Sequence, residues 1–307
     1  MLVWVPTPDG ASFMGDLPAG TEVGFWNGLE SLPAGADEVE FLVPNWASQE
    51  PIVPLLRTLP RLKVIQVLNA GYEWLLGFDD PSVSICNAGD ANAAAVADWC
   101  AAAVLSEIKR YPVFEKQQAE RRWQMQFGKP LSEHTVAIVG YGAIGKALHD
   151  RLRPFGCTVV AVASRARDGI HSVEELPDIL PIADVVVMLT PLNHATHHLL
   201  DADALAMLPD QAIVVNAGRG PIVHTEALMA ELEAGRLRAV LDVTDPEPLP
   251  ADHPLWGSPN VRITPHIAGG TTGFFRFTYG MAGANLRRYA AGEALLNVVA
   301  GPAVQKR

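Results

Sequence analysis

The chain has 307 residues, 49% of them hydrophobic, which is ample for sizeable cores and long enough for two domains of ordinary size. Acidic residues outnumber basic ones 34 to 23, a net charge of −11, which excludes general nucleic-acid binding because that needs a basic surface to displace counterions. An anionic ligand would need local arginines.

Cys86, Cys100 and Cys157 are an odd number with no metal-like spacing, so the expectation is a reduced, cytoplasmic protein with all three as small core residues and no metal. The opening MLVWVPTPDG has no basic leader. The richest apolar stretch, ANAAAVADWCAAAVL, is interrupted by Asp98 and is too short to span a bilayer, so a soluble protein with no membrane partner is expected.

In chain order, the first hundred residues alternate short apolar runs with Pro/Gly turns: LVWVP, TEVGFW, VEFLVP, LKVIQVLNAG and VSICN, with a short helix in EPIVPLLRTLPRL. This alternation predicts a small α/β domain with a largely parallel sheet. One long helical stretch, roughly 91–123 and containing Pro112, is expected to cross to a second domain. There a strand, turn, helix and strand (TVAIVGYGAIGKAL through TVVAVASR) precede further strands in ADVVVMLTPL, QAIVVNAGRG, RAVLDVTDPEP and VRITPHIAGG, with a helix in TEALMAELEAGRL. Such runs are buried on both faces, as in a doubly wound sheet. A last helix, stopped at Gly292, is expected to return to the first domain, giving domains 1–97 with 276–307 and 98–275, and a cleft between them.

Gly140, Gly142 and Gly145 form G-x-G-x-x-G between a strand and a helix, with Ala143 and Ile144 opening the helix. The first glycine permits the tight turn, the second lets backbone approach a pyrophosphate and the third permits close helix packing, while the helix N-terminus offers free N–H groups to phosphate. The acidic residue that grips a ribose 2′-hydroxyl is absent, because its position falls at or beside Ala163. Ser164, Arg165 and Arg167 follow instead and suit a 2′-phosphate, which predicts NADP(H) over NAD(H), with NAD(H) still usable. Thr190 and Pro191, ending the next strand, join this cofactor set.

Three later strand ends carry VNAGRGPIV with Arg219, LDVTDPEPLP with Asp242 and Glu247, and ITPHIAGG with His266. In an open α/β sheet these ends converge on one ligand. Hydride addition to a ketone builds an alkoxide, which requires a cation beside it and an acid to quench it; an adjacent carboxylate raises a histidine's pKa so that it starts protonated. Trp46, Tyr72 and Trp74 read as core aromatics before pocket walls, and His194, His197 and His198 receive no role.

With these motifs in order, the chain resembles the D-isomer-specific 2-hydroxyacid dehydrogenases, notably the glyoxylate/hydroxypyruvate reductase branch, from LNAG through TPHIAGG to NLRRYAAGEALLNVV. The resemblance implies a Rossmann nucleotide-binding domain and a smaller flavodoxin-like substrate domain. It implies that Arg219 binds the carboxylate and carbonyl oxygen of a 2-oxo acid and that His266 donates a proton to that oxygen. Glu247 would orient the imidazole and Asp242 would lie near the nicotinamide carboxamide. Backbone N–H groups of Ala70 and Gly71 would clamp the substrate carboxylate. It also implies a homodimer joined through the nucleotide-binding domains, with 98–127 contributing. The expected activity is NADPH-dependent reduction of small 2-oxo acids; the alternatives are a nucleotide-sensing, corepressor-like binding protein on the same scaffold and a dehydrogenase of a different 2-hydroxy acid.

Overall fold

The computed structural model describes residues 1–29, 31–45, 49–75 and 77–303. The chain divides into two compact units, Met1–Asn92 with Thr271–Arg307, and Ala93–Gly270. The crossings therefore fall somewhat earlier than 97/98 and 275/276.

Its elements in chain order are β1 (Leu2–Val5), α1 (Pro8–Ser12), β2 (Glu22–Phe25), β3 (Val39–Leu42), α2 (Gln49–Leu56), β4 (Val64–Gln66) and β5 (Ser84–Cys86). Then come α3 (Ala93–Ile108), α4 (Tyr111–Ala119), β6 (Thr135–Val139), α5 (Ala143–Leu152), β7 (Thr158–Ala163), β8 (His171–Ser172), α6 (Leu176–Ile179) and β9 (Val185–Met188). Last are α7 (Ala202–Met207), β10 (Ile213–Asn216), α8 (Thr225–Glu233), β11 (Arg238–Leu241), β12 (Val261–Ile263), α9 (Phe274–Ala291) and β13 (Val298–Ala300).

The first unit holds a six-stranded sheet, β13-β5-β4-β3-β1-β2, parallel except for β13. Alternation along each strand feeds two cores: Trp4, Leu42 and Ile65 on one face with Ile52 and Leu56 of α2, and Val3, Val5, Phe41 and Val64 on the other with Tyr279 and Leu286 of α9. Gly292, in the left-handed conformation, ends α9 as its sequence position predicts.

The second unit holds a seven-stranded parallel sheet, β12-β11-β10-β9-β6-β7-β8. Val136 and Ile138 of β6 face Val104, Leu148 and Leu152 of α3 and α5, while Ala137 and Val139 face the opposite core. Each fully buried aliphatic side chain contributes roughly 1.5–3 kcal/mol to such layers. Both units are thus covered on both faces, the doubly wound architecture expected.

The stretch 91–123 is two helices rather than one. Arg110 adopts φ +59 and ends the first, and Pro112 falls in the first turn of α4, where its missing N–H costs no helical bond. Cys86 and Cys100 are buried and burial pushes their thiols up to about 12, whereas Cys157 is only half-buried. Among the described residues no helix is long and apolar enough to cross a membrane.

Candidate active site

The strand order of the second unit reverses between β6 and β9, and ligands of open α/β sheets sit beyond the carboxyl ends of strands at such a switch. The glycine loop lies there. Gly140 has φ +108, and a Cβ on it would lie 2.6 Å from the Leu189 carbonyl carbon. Its N–H and that of Tyr141 both donate to the Val162 carbonyl, at 2.9 and 3.0 Å, which hangs the loop on the end of β7. Gly142 caps α5 without a side-chain bond and has open space where a Cβ would stand. Gly145 packs so closely that a Cβ would meet the Gly140 carbonyl at 2.6 Å. Ala143 and Ile144 begin α5, half-buried, with the free N–H groups that any helix start offers.

Ser164, Arg165 and Arg167 lie exposed on the turn after β7. Arg167 pairs with Ile170 across a turn containing Gly169 (φ +70) and donates from Nη2 to the Tyr141 carbonyl at 3.2 Å, joining this turn to the glycine loop. Arg165 makes no hydrogen bond or ion pair among the described residues. Beyond β9, Pro191 is exposed, while the Thr190 Oγ1 is buried with no hydrogen-bond partner among the described residues. An open glycine cradle, an orphaned hydroxyl and a free guanidinium fit a dinucleotide with an additional phosphate.

The catalytic candidates stand on the ends of β10, β11 and β12. Asn216, 1% exposed, closes β10 and holds the Arg219 loop from both sides: its amide donates to the Arg219 carbonyl at 2.9 Å and its Oδ1 accepts from the Gly218 N–H at 3.1 Å. The Arg219 Nη1 donates to the Gly218 carbonyl at 2.7 Å. Beyond β12, His266 Nδ1 lies 2.5 Å from Glu247 Oε1. That bond is the first cause raising the His266 pKa above its ordinary value; burial lowers it, the Glu247 charge raises it, the nearby Arg219 guanidinium lowers it and Asp242 raises it. Arg219, Glu247, Asp242 and His266 therefore form one electrostatic group. Nδ1 is committed to Glu247, so Nε2 is the nitrogen available to a reactant.

Asp242 has a second attachment. Its carboxylate, on a residue 3% exposed, accepts from the Thr264 hydroxyl at 2.6 Å and from the N–H groups of Ile267 and Ala268 at 2.8 and 2.9 Å. Three of about four acceptor directions are filled, leaving room for roughly one more donor.

Ala70 and Gly71 belong to the first unit, on the turn after β4, where Asn87 Nδ2 donates to the Ala70 carbonyl at 2.7 Å. Tyr72 and Trp74 pack partly buried against that unit's core, and Trp46 lies outside the described residues. Asn216 and Thr264 were not singled out from sequence; a polar residue closing an all-apolar strand (IVVN) was the available signal for the former. His197, His198 and His224 stack, with ring centroids 3.9 and 4.5 Å apart, and His224 Nδ1 accepts from the Ala227 N–H at 3.3 Å as the cap of α8. Among the described residues, no group of three His, Cys, Asp or Glu is arranged to hold a metal.

Residues 101–268 match the model of the D-isomer specific 2-hydroxyacid dehydrogenase NAD binding domain. A Corynebacterium melassecola protein encoded in the proB 3′ region is 39% identical over 176 residues, and the match spans 54% of this chain and 58% of that protein. Glyoxylate/hydroxypyruvate reductase B of Citrobacter koseri is 34% identical over 232 residues, 71% of each chain. Among solved structures, a D-isomer specific 2-hydroxyacid dehydrogenase from Xanthobacter autotrophicus Py2, in complex with NADPH and MES, superposes with a TM-score of 0.83 at 30% identity, covering 97% of this chain and 98% of that one. The chain belongs to the D-isomer specific 2-hydroxyacid dehydrogenase family.

Proposed function

We propose that the protein reduces small 2-oxo acids, glyoxylate and hydroxypyruvate among them, to the corresponding 2-hydroxy acids with NADPH. The observation that carries this reading is the 2.5 Å pair of His266 Nδ1 and Glu247 Oε1, with Arg219 close enough to act on the same imidazole. The Citrobacter reductase and the NADPH complex of the Xanthobacter enzyme support the substrate class and the cofactor.

When bound, the nicotinamide supplies the hydride. Arg219 binds the substrate carboxylate and the carbonyl oxygen, and its fixed charge stabilises the alkoxide that forms at C2. His266 delivers the Nε2 proton to that oxygen, so that substrate, hydride and one proton balance as the 2-hydroxy acid. Glu247 holds the imidazole in orientation and favours its protonated form before transfer. The amides of Ala70 and Gly71 bind the substrate carboxylate, and Asp242 accepts from the cofactor carboxamide through its remaining direction. Gly140, Gly142, Ala143, Ile144 and Gly145 hold the pyrophosphate, with Thr190 and Pro191 beside it. Ser164 and Arg165 take the 2′-phosphate; Arg167, with one donor already on Tyr141, steadies that turn and adds charge. NAD(H) lacks that phosphate and serves as the weaker cofactor.

The reading includes a homodimer. Residues 121–130 are all exposed and irregular, and they present Trp123, Met125 and Phe127 at 98, 74 and 86% exposure. Three large apolar side chains on one extended segment are the mark of an interface, here assigned to a second copy. Sedimentation of wild type and of a Trp123→Glu/Phe127→Glu variant tests it: dimer and monomer are expected, and a monomeric wild type contradicts it.

The test of function is kcat/KM with NADPH over 2-oxo acids of increasing size. Preference for glyoxylate or hydroxypyruvate is expected. Preference for branched or aromatic acids would overturn the substrate class, and no turnover with any 2-oxo acid would overturn the activity.

A further inference from the structure

His266 occupies the left-handed region, at φ +51. For a side chain with a Cβ this conformation is unfavourable and persists only where surrounding bonds determine it. The bonds present converge on Asp242. The His266 N–H donates to the Asp242 carbonyl at 2.8 Å and to the Thr264 carbonyl at 3.0 Å. The next two N–H groups, of Ile267 and Ala268, donate to the Asp242 carboxylate. The turn 264–268 is thus wound around one buried side chain on the neighbouring strand end.

That side chain needs its own constraint, because a carboxylate on a rotatable stem can present its oxygens in several ways. Among the described residues, the only side-chain donor bonded to it is the Thr264 hydroxyl, 2.6 Å from Oδ1. Thr264 is itself fixed by its N–H, which donates to the Leu241 carbonyl at 2.9 Å, so the hydroxyl meets Asp242 from a backbone already tied to the same strand end.

We propose that Thr264 is a positioning residue for the reduction assigned above: its hydroxyl sets the Asp242 carboxylate, which holds the His266 backbone left-handed and so aims the imidazole between Glu247 and the reacting oxygen. This rests on the reductase reading, but its geometric half does not require turnover. Thr264 is assigned to neither reactant, so its removal acts through Asp242, on the His266 turn and on the cofactor carboxamide from which Asp242 accepts.

The test compares Thr264→Val, which replaces the hydroxyl by a methyl group of similar size, with Thr264→Ser, which keeps it. For Thr264→Val, kcat with glyoxylate falls roughly ten- to a hundredfold, the scale of one hydrogen bond to a charged group. Amide hydrogen exchange at Ile267 and Ala268 accelerates while exchange in β9 and β10 is unchanged. Thr264→Ser restores both turnover and protection. Native kcat with native exchange in Thr264→Val overturns the proposal, as does loss of turnover in Thr264→Ser, which also decides the matter should the valine variant not fold. If wild type reduces no 2-oxo acid, the reductase reading fails separately, and the exchange comparison alone still judges the clamp.

Discussion

Gly220 lies so close to Thr244 that a Cβ on the glycine would stand 1.8 Å from the Thr244 carbonyl oxygen. This contact joins the two loops that matter most, since Arg219 precedes the glycine and Glu247 follows the threonine by three residues. A second tie runs alongside, from the Thr225 hydroxyl to the Asp245 carbonyl at 3.0 Å. The arginine and the carboxylate are therefore set by one packed seam.

The seam gives a first expectation. Gly220→Ala forces backbone apart in a well-packed region, which costs on the order of 1–3 kcal/mol. Thermal unfolding is expected to drop by several degrees, and kcat/KM to fall further than stability alone would require, because both loops move. A variant with native melting and native turnover would show that the seam is loose.

The pH dependence follows from His266. Its pKa is raised above the ordinary histidine value, first through the bond to Glu247, which favours the imidazolium. Reduction needs that proton, so kcat/KM for the 2-oxo acid is flat on the acid side and declines as pH rises through a value above 6.5. Stability has the same sign: the His266 contribution is complete below the unfolded pKa and is lost as pH rises through the folded one. Glu247→Gln removes the first cause and moves the declining limb to lower pH. A limb that stays in place in this variant would remove Glu247 from the account.

The proposed reading assigns cofactor choice to Arg165, which makes no hydrogen bond or ion pair among the described residues. Arg165→Ala is expected to lower kcat/KM for NADPH by roughly ten- to a hundredfold, the scale of a charge-assisted bond, and to leave NADH unchanged. Equal losses with both cofactors would show that the residue does not read the 2′-phosphate.

A fourth expectation concerns the stack of His197, His198 and His224. Burial, then the neighbouring His197 and His224, lower the His198 pKa, against smaller opposing effects of Asp245 and Glu226. Stability tied to this group is present above its unfolded pKa and is lost as pH falls through the folded one. His198→Asn removes that titrating group, so its melting temperature is expected to fall less between pH 7 and pH 5 than that of wild type. An equal fall in both would mean that the stack carries no acid sensitivity.

Much of this was legible from residue types alone. The apolar runs of β1 to β7 and β9 to β12 announce the strands of two largely parallel sheets, and the glycine spacing declares a tight strand-to-helix turn because each position has a different steric reason. Ala163 followed by Ser164 and Arg165 carries a charge argument that needs no coordinates. What could not be read was how side chains share one another's bonds. Arg110 in a left-handed conformation ends α3 although nothing in its chemistry demands it, so the two helices looked like one. Asp242 carries no sequence mark of its bonds to Thr264, Ile267 and Ala268, because the partners lie more than twenty residues away and are mostly backbone N–H groups. The histidine stack was hidden for the same reason: His224, at the start of α8, lies far along the chain from His197 and His198.

The central claim is that His266, held by Glu247, is the acid of an NADPH-dependent reduction. Its most direct test is the rate of NADPH oxidation in the presence of glyoxylate by wild type and by His266→Asn, alongside the NADPH dissociation constant of each. Wild type is expected to oxidise NADPH, and the variant to lose about 10²–10⁴ in rate with the dissociation constant preserved. A variant as fast as wild type, or a wild type inactive with glyoxylate and every other small 2-oxo acid, would contradict the claim.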